Sequence, residues 1–281
     1  MSKIKIAELF YSIQGEGRFM GVPSVFLRTF GCNFKCQGFG MPRGELSAEV
    51  ETIAFAHNNT PYNDYKDLPL VSTGCDSYAS WDPRFKDLSP MLTTDAIAKR
   101  TMEILPHGKW TSEHLVITGG EPLLGWQRAY EDLLEHEDMR GCKDITFETN
   151  GTQALTSDFQ KYLSFRSGQT EFTFSVSAKL PCSGEKWDDA ILPEVVCEYE
   201  NYGTAYLKFV ITNEHDFADA ECAIAAYRKA GFEGHIYLMP VGGVESVYAL
   251  NNKNVALLAM KHGLRYSDRL QVPLFKNEWG T

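Results

Sequence analysis

Short apolar runs alternate along the chain with segments in which apolar residues recur every three or four positions. The runs predict strands and the periodic segments predict helices. Strands are predicted at 23–30, 113–119, 143–149, 171–177, 205–212 and 235–240. Helices are predicted at 94–105, 126–137, 157–165, 216–230 and 251–262. Because strands that alternate with helices form βαβ units, we expect an α/β fold with a mostly parallel sheet, open or barrel-like.

Residues 37–74 interrupt this alternation with a stretch rich in Gly, Pro, Asn, Asp and Tyr. An irregular stretch of this length inside a compact domain is unusual and is often functional or inserted. Part of it, 47–58, has the composition of a short helix. We therefore predict that 37–74 is an exposed lobe inserted into a single domain that spans 1–281.

Charge and hydropathy exclude several classes of partner. The chain has 27 Lys and Arg against 37 Asp and Glu, a net charge of −10. This acidic balance argues against direct nucleic-acid binding, since phosphate contacts favour a basic face. No segment approaches about 18 uninterrupted apolar residues, and the N-terminus lacks a secretory signal. We expect a cytoplasmic protein that does not contact membranes.

Three of the seven cysteines carry the candidate chemistry. An odd number of cysteines in a reducing compartment argues against a disulfide framework. Cys32 and Cys36 directly follow the strand 23–30, and ligands in parallel α/β folds bind at the carboxyl ends of strands. With Cys75 they could bind an iron–sulfur cluster and leave one position open. The alternative of another class is a zinc-stapled binding module without catalysis, which predicts a colourless protein.

Five motifs occur in a fixed order along the chain, FYSIQGEGRFMGVPSVFLRTFGCNFKC, CDS, ITGGEP, FETNG and SVSAK. Together they resemble the radical S-adenosylmethionine (SAM) enzymes and, more narrowly, the 7-carboxy-7-deazaguanine synthase family. The resemblance implies one radical SAM domain, a partial, open β/α barrel of about six parallel strands. A glycyl-radical-enzyme activating protein is the alternative within that superfamily. The QGEG turn and Arg28 argue against it.

The resemblance also implies a [4Fe–4S] cluster on Cys32, Cys36 and Cys75. The family usually has CxxxCxxC followed by Asp-Thr, whereas here Phe39 stands three residues after the second cysteine. The Cys-Asp pair reappears at Cys75, which implies that 37–74 is inserted between the second and third ligands. Loop closure entropy grows slowly with length, so such an insertion is tolerable.

For the cofactor and the substrate, the resemblance implies a lyase that converts 6-carboxy-5,6,7,8-tetrahydropterin to 7-carboxy-7-deazaguanine with loss of ammonia, in queuosine-type biosynthesis. The residues implied to bind SAM are Gly119, Gly120, Glu121, Glu148, Ser177, Ala178 and Lys179. Glu121 is expected to accept a hydrogen bond from the methionine ammonium. The residues implied to bind the pterin are Ile13, Gln14, Gly15, Arg28 and Thr118, with the Arg28 guanidinium on the substrate carboxylate.

Three further expectations come from the same resemblance. Ser77 replaces a threonine whose hydroxyl helps to hold Mg²⁺ against the substrate carboxylate, and Mg²⁺ accepts oxygen ligands of this kind. A homodimer is expected. The reaction needs a one-electron donor such as flavodoxin.

Overall fold

The computed structural model describes residues 2–281, which form one nine-stranded sheet with helices packed on it. The strands are β1 (Lys3–Ile13), β2 (Pro23–Thr29), β3 (Met91–Thr93), β4 (His114–Gly119), β5 (Asp144–Thr149), β6 (Glu171–Val176), β7 (Thr204–Ile211), β8 (His235–Pro240) and β9 (Arg265–Tyr266). Their order is β3-β1-β2-β4-β5-β6-β7-β8-β9. Since β3 and β9 lie at opposite ends of this order, the sheet is open.

Strands β2 and β4 to β8 are parallel and correspond to the six predicted strands. The short strand β9 continues the parallel arrangement beside β8. The prediction of a mostly parallel, open α/β sheet is confirmed. These strands are buried almost throughout. For this reason their sequences are continuous apolar runs rather than alternating apolar and polar residues.

The hydrophobic pattern does not predict β1, β3 or β9. Strand β1 pairs antiparallel with β2 and has an irregular register between Ile6 and Glu8. Its apolar residues are interrupted by Lys3, Lys5 and Glu8, so no unbroken run marks it. Strands β3 and β9 have only three and two residues, which is too short for a periodic pattern.

The helices are α1 (Glu49–Asn59), α2 (Thr94–Ile104), α3 (Gln127–Leu134), α4 (Ser157–Arg166), α5 (Trp187–Ala190), α6 (Pro193–Tyr199), α7 (Glu214–Ala230), α8 (Glu245–Lys261) and α9 (Gln271–Phe275). Helices α2, α3, α4, α7 and α8 correspond to the five predicted ones, although α8 begins earlier than position 251. Helix α7 shows why such signals work. The Asn213 side chain caps its first turn, and Gly231 ends it with φ of 106°. Helices α5, α6 and α9 are too short to show a periodic pattern. No helix within 2–281 is long and apolar enough to cross a membrane.

Aromatic side chains fill the main core between sheet and helices. Phe147 of β5 stacks on Phe174 of β6 with 5.7 Å between ring centroids, and Phe174 stacks on Tyr199 of α6 at 4.6 Å. Burying each ring contributes about 1.5–3 kcal/mol. The packed sheet thus holds the strand ends, which carry the motifs, in fixed positions.

The segment 37–74 contains α1 and an apolar cluster separate from the main core. The cluster joins the segment to residues that follow Cys75, and its largest members are Val50, Ile53, Tyr65, Leu68, Val71, Tyr78 and Phe85. The base of the segment is closed by hydrogen bonds from Ser47 N to Gln37 O at 2.8 Å and from Gly74 N to Phe39 O at 2.7 Å. This closure brings the two ends of the segment together. The description of 37–74 as an insertion stays a prediction.

Candidate active site at the carboxyl ends of the strands

A cavity of about 240 Å³ lies at the carboxyl ends of the parallel strands. Its wall includes the loop after β2, the ends of β4, β5, β6 and β8, and the C-terminal residues. Fourteen of the residues expected to bind cluster, cofactor, pterin or Mg²⁺ line it, namely Ile13, Gln14, Gly15, Arg28, Cys32, Cys36, Cys75, Ser77, Thr118, Gly119, Gly120, Glu148, Ser177 and Lys179. Residues far apart in the sequence are therefore brought into one site.

The three cysteines meet on one side of this cavity, in a small apolar cluster with Phe34, Phe39 and Ala190. All three are free thiols. Cys36 has a positive φ of 50°, a conformation that L residues adopt at a cost. The Glu185 carboxylate stabilises it by accepting hydrogen bonds from Lys35 N at 2.9 Å and Cys36 N at 2.7 Å.

Burial makes these thiols poor acids without a bound partner. It raises the pKa of Cys32 to about 12 and also raises the pKa values of Cys36 and Cys75. A positively charged metal group would reverse this preference, because it binds the thiolate form. Within 2–281, no three His, Cys, Asp or Glu side chains converge as ligands of one metal ion.

The glycines after β4 allow close backbone contacts. A Cβ atom on Gly119 would lie 2.3 Å from Thr29 O, and one on Gly120 would lie 2.4 Å from Gly31 O. Gly119 also has φ of 153°. Only glycine lets the end of β4 pass so near the loop that carries the first two cysteines.

Glu121 is not among the residues that line the cavity. It is fully buried, and its carboxylate accepts hydrogen bonds from Leu123 N at 3.0 Å, Thr149 Oγ1 at 2.8 Å and Asn150 N at 2.6 Å. Burial raises its pKa to about 7 despite these donors. In the structure Glu121 thus joins the ends of β4 and β5, and its expected contact with the methionine ammonium stays a prediction. Sequence spacing alone cannot show which way this side chain turns.

The segment after β6 contributes two of its three expected residues to the wall. Lys179 Nζ donates to Ser177 Oγ at 2.9 Å and lies 5.8 Å from the centre of the Phe39 ring. Ala178 is buried behind them, 2% exposed, and does not line the cavity. Its expected place in the SAM site stays a prediction.

The QGEG turn joins a network of paired charges at the cavity wall, in which Lys208 and Arg269 are buried and Glu16 and Asp76 are partly exposed. Glu16 pairs with Lys208 at 2.8 Å and with Arg269 at 3.2 Å, and Arg269 pairs with Asp76 at 2.5 Å. Burial opposes ionisation of Glu16, but the two cations outweigh it and lower its pKa to about 2. Burial likewise opposes ionisation of Lys208, and the carboxylates nevertheless raise its pKa. We call Glu16, Asp76, Lys208 and Arg269 the charge network.

Arg28 and Ser77 lie together beside this network. Arg28 Nε donates to Glu8 at 2.9 Å, and Arg28 Nη1 donates to Ser77 Oγ at 3.2 Å. Ser77 Oγ lies 3.3 Å from Asp76 Oδ1, so the two side chains turn toward the same space. One edge of the guanidinium is thus occupied by Glu8.

Several relatives with known names align with almost the whole chain. A 7-carboxy-7-deazaguanine synthase of Halobacterium salinarum is 31% identical, over 98% of this chain and 91% of that protein. One of Pyrobaculum aerophilum is 25% identical over 99% of this chain and 97% of that protein. No family model matches the chain.

The chain belongs to the 7-carboxy-7-deazaguanine synthase family. The predicted family is confirmed, and with it the prediction of a radical SAM enzyme of 7-deazapurine biosynthesis. In fold, the chain resembles the crystal structure of QueE from Escherichia coli, with a TM-score of 0.53, 20% identity and 94% and 93% of the two chains covered.

Members of the site that sequence reasoning missed come mostly from distant segments. They are Glu8, Glu16, Asp76, Glu185, Lys208, Arg269, Gln271 and Trp279. Glu16 stands inside the QGEG motif and Asp76 beside Cys75, so proximity to a motif could have indicated both. Lys208 and Arg269 lie near no motif, so the sequence does not indicate that they belong to the site.

Proposed function

We propose that this chain converts 6-carboxy-5,6,7,8-tetrahydropterin to 7-carboxy-7-deazaguanine with loss of ammonia in the cavity at the strand ends. The observation that carries this proposal is the convergence of three free thiols, the glycine turn and the QGEG turn on one cavity. Family membership supports the same reaction class. The alternatives lose support, because the named relatives that align with almost the whole chain are 7-carboxy-7-deazaguanine synthases.

The site fits a [4Fe–4S] cluster on Cys32, Cys36 and Cys75. Cysteine thiolates are the usual ligands of such clusters, and three of them leave one iron for SAM. Bound there, cluster and SAM supply one-electron, hydrogen-abstracting chemistry. The protein contributes largely buried thiols, an apolar surround of Phe34 and Phe39, and the close approach of Gly120 to Gly31, which holds the Cys32 loop against the end of β4.

SAM would lie between the cluster and the ends of β4, β5 and β6. Gly119 and Gly120 give it backbone to lie against, and Ser177 and Lys179 present a hydroxyl and an ammonium to its polar groups. Glu121 holds Thr149 and Asn150 in place behind this surface. We therefore propose Glu121 as a positioning residue.

The pterin would lie against the QGEG turn. Phe10 and Phe26 stack on each other at 4.9 Å and give the cavity a flat apolar wall. Gln14 donates to Glu148 Oε1 at 3.2 Å, so two groups able to read the edge of a heterocycle stand together. Ile13, Gly15 and Thr118 line the same space. Arg28 keeps free N–H groups for the substrate carboxylate beyond its bond to Glu8.

Mg²⁺ would bind at Ser77, beside the substrate carboxylate. It often takes one or two protein oxygens and completes its shell with substrate and water. Ser77 Oγ and Asp76 Oδ1 lie 3.3 Å apart, which supports Asp76 as a second oxygen. A cytoplasmic location, a homodimer and a flavodoxin-like electron donor complete the proposal.

Reconstituted, reduced protein tests the reaction directly. Incubated anaerobically with SAM, Mg²⁺ and the carboxypterin, it is expected to yield 7-carboxy-7-deazaguanine and 5′-deoxyadenosine by mass spectrometry. A brown protein with about four irons that forms no deazapurine would contradict the substrate assignment. A colourless protein with one zinc would contradict the enzyme class.

A further inference from the structure

Among residues 2–281, Trp81 is the one tryptophan whose buried side-chain N–H group lacks an acceptor. Trp110, Trp126 and Trp279 donate to the carbonyls of Asp138 at 2.9 Å, Phe30 at 3.0 Å and Leu68 at 3.2 Å. Trp81 Nε1 is shielded from solvent and has no hydrogen-bond partner within 2–281. Leaving a buried donor unsatisfied costs about 1–3 kcal/mol. Such a group therefore indicates a partner that the protein itself does not supply.

The unpartnered N–H group lies in the cluster site. Trp81 lines the cavity together with Cys75. Trp81 ends the 3-10 turn Tyr78–Ser80, six residues after Cys75 in the sequence, so its indole stands on the segment that directly follows the third cysteine. A thiol is a weak acceptor, and a metal-bound thiolate or sulfide is a much better one.

The backbone keeps Trp81 in this position. The segment Tyr78–Ser80 forms a 3-10 turn, and Trp81 N donates to Tyr78 O at 3.2 Å. Gly31 N donates to Ser80 O at 2.8 Å, which links this turn to the loop that carries Cys32. The indole therefore stands on a segment tied to two of the three ligand loops. This arrangement suits a group that must keep a fixed distance to the cluster.

We propose that Trp81 Nε1 donates a hydrogen bond to sulfur at the Cys75 corner of the bound cluster and thereby raises its reduction potential. The inference rests on the proposed function, since it requires the cluster. Hydrogen bonds to cluster sulfurs help to set the potential, because they stabilise the more negative, reduced state. Trp81 is thus a positioning and tuning residue rather than one that touches the substrate.

The test compares Trp81→Phe with the matched variant Trp110→Phe, whose indole bonds to Asp138 away from the site. All proteins are reconstituted anaerobically and titrated with dithionite without SAM, and the reduced cluster is followed by electron paramagnetic resonance. Trp81→Phe is expected to bind as much iron as the wild type. The equilibrium constant for one-electron reduction of its cluster is expected to fall about tenfold, which corresponds to a midpoint potential about 59 mV lower. Trp110→Phe is expected to match the wild type.

A second substitution separates the N–H group from the shape of the ring. Site-specific incorporation of 3-benzothienylalanine at position 81 keeps the bicyclic ring and replaces the N–H group with sulfur. It is expected to lower the midpoint as Trp81→Phe does. A wild-type midpoint in either Trp81 variant that carries full iron would overturn the proposal, as would loss of iron from both. Failure of the wild type itself to bind a four-iron cluster would instead overturn the proposed function.

Discussion

Two parts of the cavity wall, the cluster side with the three cysteines and the charge network, differ in how they hold their ionisable groups. The cluster side surrounds Cys32, Cys36 and Cys75 with apolar residues, and desolvation raises the pKa values of the thiols. The charge network pairs four ionised groups, of which Lys208 and Arg269 are buried and Glu16 and Asp76 are partly buried. Buried charges are tolerated only when they are paired and hydrogen-bonded. The cluster side is therefore completed by a bound group, whereas the charge network is complete in the protein alone.

This difference also separates what each side does for the ligands. The thiols of the cluster side need the positive charge of a bound metal group to become thiolates. The stability and the function of this side therefore both depend on cluster binding. The charge network fixes the QGEG turn, β7 and the C-terminal segment relative to one another before any ligand arrives. Variants on the two sides should therefore fail in different ways.

The largest expected effect is on the cluster side. Cys75→Ala should abolish the cluster, because two thiolates cannot replace the three that leave a single iron open. Iron content and absorbance near 400 nm after anaerobic reconstitution measure the loss. Cys142→Ala is the control, since Cys142 is a buried thiol of the main core. A cluster retained in full by Cys75→Ala would remove the third ligand from this site.

On the charged side, Arg269→Ala should destabilise the fold rather than remove iron. It would leave Glu16 and Asp76 facing each other without their shared cation. Breaking a fully buried pair costs about 3–5 kcal/mol, and the partial exposure of both carboxylates lowers the expected loss to about 2–3 kcal/mol. Urea unfolding followed by circular dichroism measures the loss. Arg43→Ala, which removes the exposed pair with Asp219, should cost under about 1 kcal/mol. Equal losses in the two variants would contradict the description of the network.

Acid should weaken the same network in a defined direction. The folded-state pKa of Glu16 is about 2, below the value of about 4.3 expected in the unfolded chain. Ionised Glu16 therefore contributes on the order of 3 kcal/mol above pH about 4.5, and this is lost as pH falls toward about 2. The stability difference between wild type and Glu16→Gln should shrink over that range. A difference independent of pH would show that Glu16 is not held ionised.

A smaller effect is expected where the C-terminus meets the lobe. The Trp279 ring packs on Tyr65 and Tyr78, with ring centroids 5.5 and 5.6 Å apart, and its N–H group donates to Leu68 O. Aromatic pairs contribute about 0.5–1.5 kcal/mol each. Trp279→Ala should therefore raise KM for the pterin about tenfold, with iron content unchanged. An unaltered KM would show that the lobe does not hold the chain end over the substrate.

The smallest expected effect concerns the proposed magnesium site. Ser77→Ala removes the hydroxyl and should raise the Mg²⁺ concentration needed for half-maximal turnover severalfold, since Asp76, substrate and water remain as ligands. Mg²⁺ titration after chelator treatment measures this in both proteins. Thr152→Ala is a suitable control because its hydroxyl bonds to Asn150 away from Ser77. Turnover that does not depend on Mg²⁺ in the wild type would leave Ser77 a purely structural residue.

The local sequence pattern determined the strands, the helices and the short motifs at the strand ends. Six buried parallel strands appear as apolar runs because burial on both faces requires apolar residues at successive positions. The helices between them show apolar residues at helical spacing and capping residues at their ends. The cysteines and the GGEP turn follow strands directly, and the ends of parallel strands must meet at one edge of the sheet. The family resemblance rested on these same short segments.

Only the tertiary structure decided the contacts that join distant segments. Arg269 meets Glu16 and Asp76 across 253 and 193 positions of the sequence, and no periodicity records such a pairing. The direction of the Glu121 side chain depended on donors at Thr149, the last residue of the neighbouring strand β5, and at Asn150 directly after it. Cys36 and Cys75 came together because hydrogen bonds close the base of 37–74, and this closure depends on three-dimensional geometry that the spacing between cysteines does not contain.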